Sequence, residues 1–126
     1  MAKKGQIVAV LGASAKTARY SNKAVKMLFD HGHSVIPVNP AGTDIHGISS
    51  VKTLDEIDKP VDTLTVYVKP DISLKLCKPI LKLNPKRVIF NPGTENFQLE
   101  KLLTARKIET VHACTLVMLQ TGQFEA

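Results

Sequence analysis

The sequence is poor in the residues that would stabilise a secreted protein or bind nucleic acid. It contains two cysteines, no tryptophan and 5% aromatic residues. Two cysteines do not make the disulfide framework of a small secreted domain, and the start of the chain lacks the apolar stretch of a secretory signal. Few aromatic side chains are present to stack on bases. We therefore expect a cytoplasmic protein with no nucleic-acid partner.

Long hydrophobic runs are also missing. A membrane helix needs about 20 consecutive apolar residues, and no such stretch occurs, so we expect no membrane partner. The 126 residues include 44% hydrophobic and 22% charged residues, which are ordinary values for a globular protein. One domain usually takes about 100 to 200 residues. The sequence therefore predicts a single domain over residues 1–126.

The positive charge is unevenly distributed along the chain. The formal net charge is +6. Residues 1–43 carry most of this excess because they contain a single acid, Asp30, and six basic residues: Lys3, Lys4, Lys16, Arg19, Lys23 and Lys26. Positive charge gathered in one part of a small domain favours one phosphorylated ligand over an extended polyanion.

Strands and helices alternate along the sequence. Five continuous apolar runs are typical of strands buried on both faces of a parallel sheet. They are residues 7–11, 35–38, 64–68, 87–90 and 110–113. Apolar residues at helical spacing lie between them. This order predicts an α/β fold in three layers, a Rossmann-like doubly wound parallel sheet of five main strands with a short edge strand at residues 47–49.

Three features predict where helices begin and end. An apolar stripe at residues 25–29 ends at Gly32, which suits the left-handed residue that follows a helix. Thr53, with Glu56 three residues later, predicts a capped helical turn. Pro79 lacks the N–H of a helix interior, so we expect a kink or a late helix start there.

The most informative segment follows the first predicted strand, at the edge of a parallel sheet where ligands bind. Gly12 allows a sharp turn, and the small residues behind it let N–H groups approach an anion at the start of the next helix. Ser14 and Thr17 add hydroxyl groups, and Lys16 and Arg19 add positive charge. This combination predicts a phosphate-binding loop.

Three other sequence patterns are incomplete here. The dinucleotide pattern Gly-x-Gly-x-x-Gly has Ser14 and Thr17 in place of its second and third glycines, and Asn39 replaces the acidic residue that would hold the ribose. A P-loop would need a second glycine before its lysine, and a nucleophile elbow would need glycine in place of Lys16. NAD is therefore disfavoured, and an NAD(P)-binding reductase or redox-sensor domain is the alternative interpretation.

Several segments together resemble the coenzyme A-binding Rossmann domain family. They are Gly12-Ala13-Ser14, Arg19-Tyr20-Ser21, the tract VIPVNP at residues 35–40, and His46-Gly47. The chain is similar to the small stand-alone bacterial members and, more distantly, to the N-terminal domain of the succinyl-CoA synthetase α subunit. Residues 61–66, 91–93 and 111–114 also agree, so the resemblance covers almost the whole chain. The sequence differs from the family at Lys107, where the family commonly has a glycine that ends a helix.

The resemblance implies that the chain binds coenzyme A or an acyl-CoA as a binding module without evident catalysis. Residues implied at the pyrophosphate are Gly12, Ala13, Ser14 and Lys16. Those implied beside the nucleotide and adenine are Asn39, Pro40, Val68, Lys69 and Pro70. Arg19, Ser21 and Gly93 complete the candidate set. An acidic residue at the ribose would repel the 3′-phosphate of CoA, so the neutral Asn39-Pro40 ending suits this ligand.

No catalytic pair and no metal site is evident in the sequence. The four histidines have no partners at metal-ligand spacing; they are His31, His33, His46 and His112. Cys114 follows a strand and suits a small buried side chain, with a thiol near the CoA thiol as the alternative. The apolar run at residues 116–119 either covers the core or forms a contact with another protein. A homodimer and a partner enzyme subunit both stay open.

Overall fold

The computed structural model describes residues 5–125, so Lys3 and Lys4 lie outside the described residues. Its strands form one parallel sheet with the order β2-β1-β3-β4-β5. They are β1 (Ile7–Leu11), β2 (Ser34–Val38), β3 (Thr63–Val66), β4 (Arg87–Phe90) and β5 (Glu109–His112). This order places the switch point of a doubly wound sheet between β1 and β3. The predicted Rossmann-like α/β fold is confirmed.

Helices cover both faces of the sheet. They are α1 (Tyr20–Asp30), α2 (Pro70–Lys75), α3 (Cys77–Leu83), α4 (Phe97–Ala105) and α5 (Thr115–Gln120), with a 3-10 turn at Leu54–Glu56. One core cluster joins α1 and α5 to the sheet through Val8 and Val10, and the other joins α3 and α4 to it through Ala9 and Leu11. Side chains alternate along a strand, so β1 contributes to both cores. Within residues 5–125, every helix is too short or too polar to cross a membrane.

The predicted edge strand at residues 47–49 is wrong. Ile45 and Ile48 instead form an isolated bridge across a tight turn whose central residues, His46 and Gly47, both have positive φ. Burial of the Ile45 side chain, which is 1% exposed, holds this turn against the α1 face of the sheet. Val51 instead extends the sheet beside β2, where it forms a parallel bridge with Val38.

The predicted helix ends are largely confirmed. Gly32 follows α1 with φ +87°, and Glu56 Oε2 accepts the N–H of Thr53 at 3.2 Å. Pro79 is the third residue of α3, which begins only at Cys77, so its missing N–H falls in the first turn. Within the predicted apolar stripe, Val25 and Leu28 are buried in the core, whereas Phe29 is 60% exposed.

The buried side chain of His33 contacts the end of the described chain at the amino ends of the strands. The Nδ1 atom of His33 accepts the N–H of Gln6 at 2.9 Å, and its Nε2 lies 3.1 Å from Glu125 Oε1. The imidazole also packs at 5.0 Å from the ring of Phe124. Burial lowers the pKa of His33, and the Glu125 carboxylate acts in the opposite direction. The folded protein therefore favours a neutral His33.

This histidine makes stability depend on pH. The unfolded chain takes up a proton at His33 as the pH falls through about 6 to 7, whereas the folded chain resists it, so its contribution is complete above this range and is lost below it. We expect the melting temperature to fall more between about pH 7.5 and pH 5.5 in the wild type than in His33→Asn. The asparagine side chain keeps an acceptor for the N–H of Gln6 and does not titrate. Equal slopes in thermal melts of the two proteins would contradict this prediction.

Candidate functional site

Two cavities meet at Gly12, at the carboxyl ends of the strands. The first, which we call the apolar cavity, has a volume of about 390 Å³ and is lined by Leu11, Gly12, Val38, Pro40, Lys52, Thr53, Leu54, Asp55, Val68, Ile72, Leu76 and Pro79. The second, the basic cavity, is also about 390 Å³ and is lined by Gly12, Ser14, Lys16, Arg19, Tyr20, Ser21, Tyr67, Pro92 and Thr94. Both lie at the switch point, where ligands bind in doubly wound sheets.

Gly12 occupies a position that only glycine fits. Its φ is +87°, and a Cβ atom there would lie 2.7 Å from Val68 Cγ1 and 3.1 Å from the carbonyl carbon of Tyr67. The N–H groups of Gly12 and Ala13 both donate to the carbonyl of Val38 at 3.1 Å. These two N–H groups therefore tie the turn to β2 and are not free to bind an anion. Gly12 lines both cavities, and Ser14 and Lys16 line the basic cavity.

Positive charge and a helix start combine on the wall of the basic cavity. Helix α1 begins at Tyr20, with no side-chain cap at Arg19 and no acidic residue in its first turn. The positive end of the helix dipole is thus left without a protein anion from α1 itself. Lys16 and Arg19 are exposed beside it. Such an arrangement has the charge and the helix start that suit an anion.

A hydrogen-bonded chain connects this loop to the turn after β2. The Nδ2 atom of Asn22 donates to the Ser14 carbonyl at 2.8 Å, and Asn22 Oδ1 lies 2.7 Å from His46 Nε2. Because the amide oxygen can only accept, the histidine Nε2 must donate. His46 and Asn22 therefore position the Ser14 peptide. The sequence had offered no partner for His46, because the two residues are brought together only by the packing of α1.

Buried polar side chains support the site from below. Asn91 donates from Nδ2 to Thr65 Oγ1 at 2.7 Å and accepts the N–H of Thr115 at 2.9 Å through Oδ1. The hydroxyls of Thr65 and Thr115 lie 2.8 Å apart. All three residues are buried. They join β3, β4 and the start of α5 directly beneath the ends of the strands.

Tyr67 lines the basic cavity on the side of this network. Its hydroxyl oxygen is buried beside the hydroxyls of Thr65 and Thr115. Burial raises the pKa of Tyr67 well above its usual range, so the phenol stays protonated at neutral pH. It therefore cannot act as a base at neutral pH.

The structure brings most of the predicted site residues together. Gly12, Ser14, Lys16, Arg19 and Ser21 line the basic cavity, and Gly12, Pro40 and Val68 line the apolar cavity. Ala13 is instead buried in the core. Asn39 is also buried, and its side chain exchanges hydrogen bonds with the backbone of Thr43, so it organises the loop after β2.

Like Ala13 and Asn39, three further predicted residues line neither cavity. Lys69 precedes α2 and Pro70 is its first residue, so both serve the helix start. Gly93 is exposed with φ +88°, and its N–H donates to Glu95 Oε1 at 2.9 Å. Its neighbours Pro92 and Thr94 are the ones that reach the basic cavity.

Sequence reasoning missed several lining residues, among them Tyr67 and Lys52. Tyr67 comes directly after β3, so the rule that ligands lie beyond the carboxyl ends of strands could have identified it. Because the third strand was predicted to end at Val68, Tyr67 fell inside that strand rather than after it. Lys52 carries no sequence signal, since it does not directly follow any predicted strand and only the path of the chain beside β2 brings it to the site.

The remaining candidates lie away from both cavities. Cys114 precedes α5 and is half-buried, and Cys77 packs against the core. No group of three metal-ligating side chains occurs in the described part of the chain. In α5, Leu119 is buried in the core whereas Val117 is 52% exposed, so the apolar run at residues 116–119 covers the core on one side only. His112 contacts Glu100.

Comparison with known proteins gives consistent matches. The profile of the family described as "CoA binding domain" matches residues 6–120. The crystal structure of an uncharacterized protein shares 43% identity with a TM-score of 0.91, covering 97% of this chain and 100% of that one. Cell-free ID.343 from Thermus thermophilus shares 30% identity with a TM-score of 0.86, covering 95% of this chain and 91% of that one.

A further match is to the uncharacterized protein YneT of Bacillus subtilis. The two sequences are 38% identical over 60 residues, which is 48% of this chain and 44% of YneT. The aligned part thus spans less than half of that relative.

Proposed function

We propose that this chain, which belongs to the CoA binding domain family, binds coenzyme A or an acyl-CoA across its two cavities. The adenine lies in the apolar cavity, the pyrophosphate lies against the loop from Gly12 to Lys16, and the pantetheine arm follows the basic cavity. Family membership supports CoA binding in general, and the placement of the ligand is our inference from the shape and charge of the site.

The observation that carries this proposal is that both cavities share Gly12. CoA has a flat aromatic base at one end, a doubly charged pyrophosphate near that base and a long polar arm beyond it. An apolar pocket suits the base, and a basic wall at a helix start suits the pyrophosphate. A ligand that passes over Gly12 needs the close approach that a residue without a side chain permits.

The charges of the site favour the same ligand. Lys16 and Arg19 supply two cations to the basic cavity, and no carboxylate lines that cavity. Asn39 replaces the acidic residue that would bind the ribose hydroxyls of NAD and repel a ribose phosphate.

We further infer that the protein acts as a binding module rather than as a complete enzyme. The titratable side chains that line the basic cavity are two cations and two tyrosines. A general base is needed for most acyl-transfer chemistry, and the buried phenol of Tyr67 is unsuited to that role. A role in presenting CoA or an acyl-CoA to a partner protein fits this set of residues.

Lys16→Ala tests the proposal through the pyrophosphate. Loss of one charge-assisted contact at an exposed position is expected to weaken CoA binding about tenfold in isothermal titration calorimetry. Lys23→Ala is the matched control, because it removes the same charge from the exposed face of α1 and does not line the basic cavity. It should change the affinity less than about twofold.

The wild-type titration decides between the candidate ligands. One CoA bound per chain, with NAD binding more weakly, supports the proposal. Absence of heat at millimolar CoA would refute it, and tighter binding of NAD or NADP than of CoA would replace it with the reductase or redox-sensor interpretation.

A further inference from the structure

We propose that Lys52 binds the 3′-phosphate of the ligand and thereby selects CoA over dephospho-CoA. This inference rests on the proposed function and assigns a specificity-determining residue within it. Lys52 is the cation that lines the apolar cavity among the described residues. The pyrophosphate cations Lys16 and Arg19 line the other cavity.

The path of the backbone brings Lys52 to the end of β2. Val51 forms a parallel bridge with Val38, its carbonyl accepts the N–H of Asn39 at 3.0 Å, and its N–H donates to the Pro37 carbonyl at 3.0 Å. Lys52 follows directly, and its own N–H donates to Glu56 Oε2 at 2.6 Å. The backbone of Lys52 is therefore held on both sides, which lowers the entropy lost when its side chain binds a ligand.

The side chain of Lys52 lies across Gly42. Its Cε and Cγ atoms are 3.1 and 3.2 Å from the position that a Gly42 Cβ would take. The aliphatic stem thus packs on bare backbone, as long charged side chains often do, and leaves the ammonium group toward solvent. No carboxylate in residues 5–125 forms an ion pair with it. Asp55, the acid that lines the same cavity, lies 4.0 Å from Lys82.

This position corresponds to the place where Rossmann-like folds contact the ribose. In dinucleotide-binding sheets the residue near the end of the second strand meets the ribose hydroxyls, and a cation there accommodates a ribose phosphate. Asn39 cannot contribute, because its side chain is engaged by Thr43. With the adenine between Pro40 and Val68, a phosphate on the ribose would extend toward Gly42 and the Lys52 ammonium. Opposite charges at the rim of an apolar cavity attract more strongly than in bulk water.

Calorimetric titration of CoA and dephospho-CoA into three proteins tests the assignment. The proteins are the wild type, Lys52→Met and Lys75→Met. Methionine keeps the stem that packs on Gly42 and removes only the charge. Lys75→Met is the matched control, since Lys75 is an exposed lysine of α2 that lines neither cavity.

We expect the wild type to bind CoA about 10 to 50 times more tightly than dephospho-CoA. In Lys52→Met this ratio should fall below about 3, through loss of CoA affinity with dephospho-CoA affinity unchanged. Lys75→Met should keep the wild-type ratio. A ratio that survives in Lys52→Met, or that is lost in Lys75→Met, overturns the assignment while leaving CoA binding established. If the wild type binds neither ligand, the proposed function itself fails.

Discussion

Replacing Gly12 by alanine is expected to weaken CoA binding more than about 100-fold and to lower the free energy of unfolding by about 3 kcal/mol. The left-handed φ of +87° strains any residue with a Cβ. The added methyl would also lie 2.7 Å from Val68 Cγ1 and 3.1 Å from the backbone of Tyr67. The loop must then move away from β3, and the contact point of the two cavities is lost. Urea denaturation and calorimetric titration of CoA measure the two effects.

Gly32→Ala is the control for the strain term alone. Gly32 has the same φ of +87°, but a Cβ there would meet nothing within 4 Å, and it lies at the opposite end of α1 from the site. We expect a loss of about 1 kcal/mol of stability and unchanged CoA affinity. If Gly12→Ala were no more damaging than Gly32→Ala, the close approach of the Gly12 loop to β3 would not matter for the site.

Asn91→Leu is expected to lower the free energy of unfolding by about 3 kcal/mol. Leucine has a similar volume, so the loss comes from polar groups rather than from a cavity. The N–H of Thr115 and the carbonyl of Val66 each lose a buried partner, and the paired hydroxyl of Thr65 loses its donor. A buried polar group without a partner keeps its full desolvation cost. The urea midpoint reports this loss.

Asn84→Gly provides the comparison for Asn91→Leu. Asn84 is an exposed asparagine in the left-handed conformation after α3, with φ +51°, which glycine adopts without strain. Its replacement should change stability by less than about 0.5 kcal/mol. Equal effects at the two positions would show that the Asn91 hydrogen bonds contribute little to stability.

The structure shows which of the basic residues in the first third of the chain lie at the candidate site. Of the basic residues in the first third of the chain, Lys16 and Arg19 line the basic cavity. Lys23 and Lys26 lie on the exposed face of α1, where Lys26 pairs with Asp30 at 3.2 Å. The positive charge at the site thus comes from few residues, and Lys52 brings a further cation from outside the segment that the composition had singled out.

The sequence by itself determined the fold class and indicated the centre of the candidate site. Apolar strand runs, a glycine after the first of them and the basic residues behind it are local features, and local features decide which segments become strands and where the chain turns sharply. Gly12, Ser14 and Lys16 could therefore be named in advance. The absence of an acidic ribose contact could also be predicted, because Asn39 is neutral in any orientation of its side chain.

Only the tertiary structure decided which side chains face the cavities. In the folded protein Ala13 and Asn39 are buried. Lys69, Pro70 and Gly93 line neither cavity, whereas Tyr67 and Lys52 each line one. These outcomes depend on contacts between segments far apart in the chain, such as the bridge from Val51 to Val38. The register of such a bridge is set by the packing of both faces of the sheet, and no short stretch of sequence contains that information.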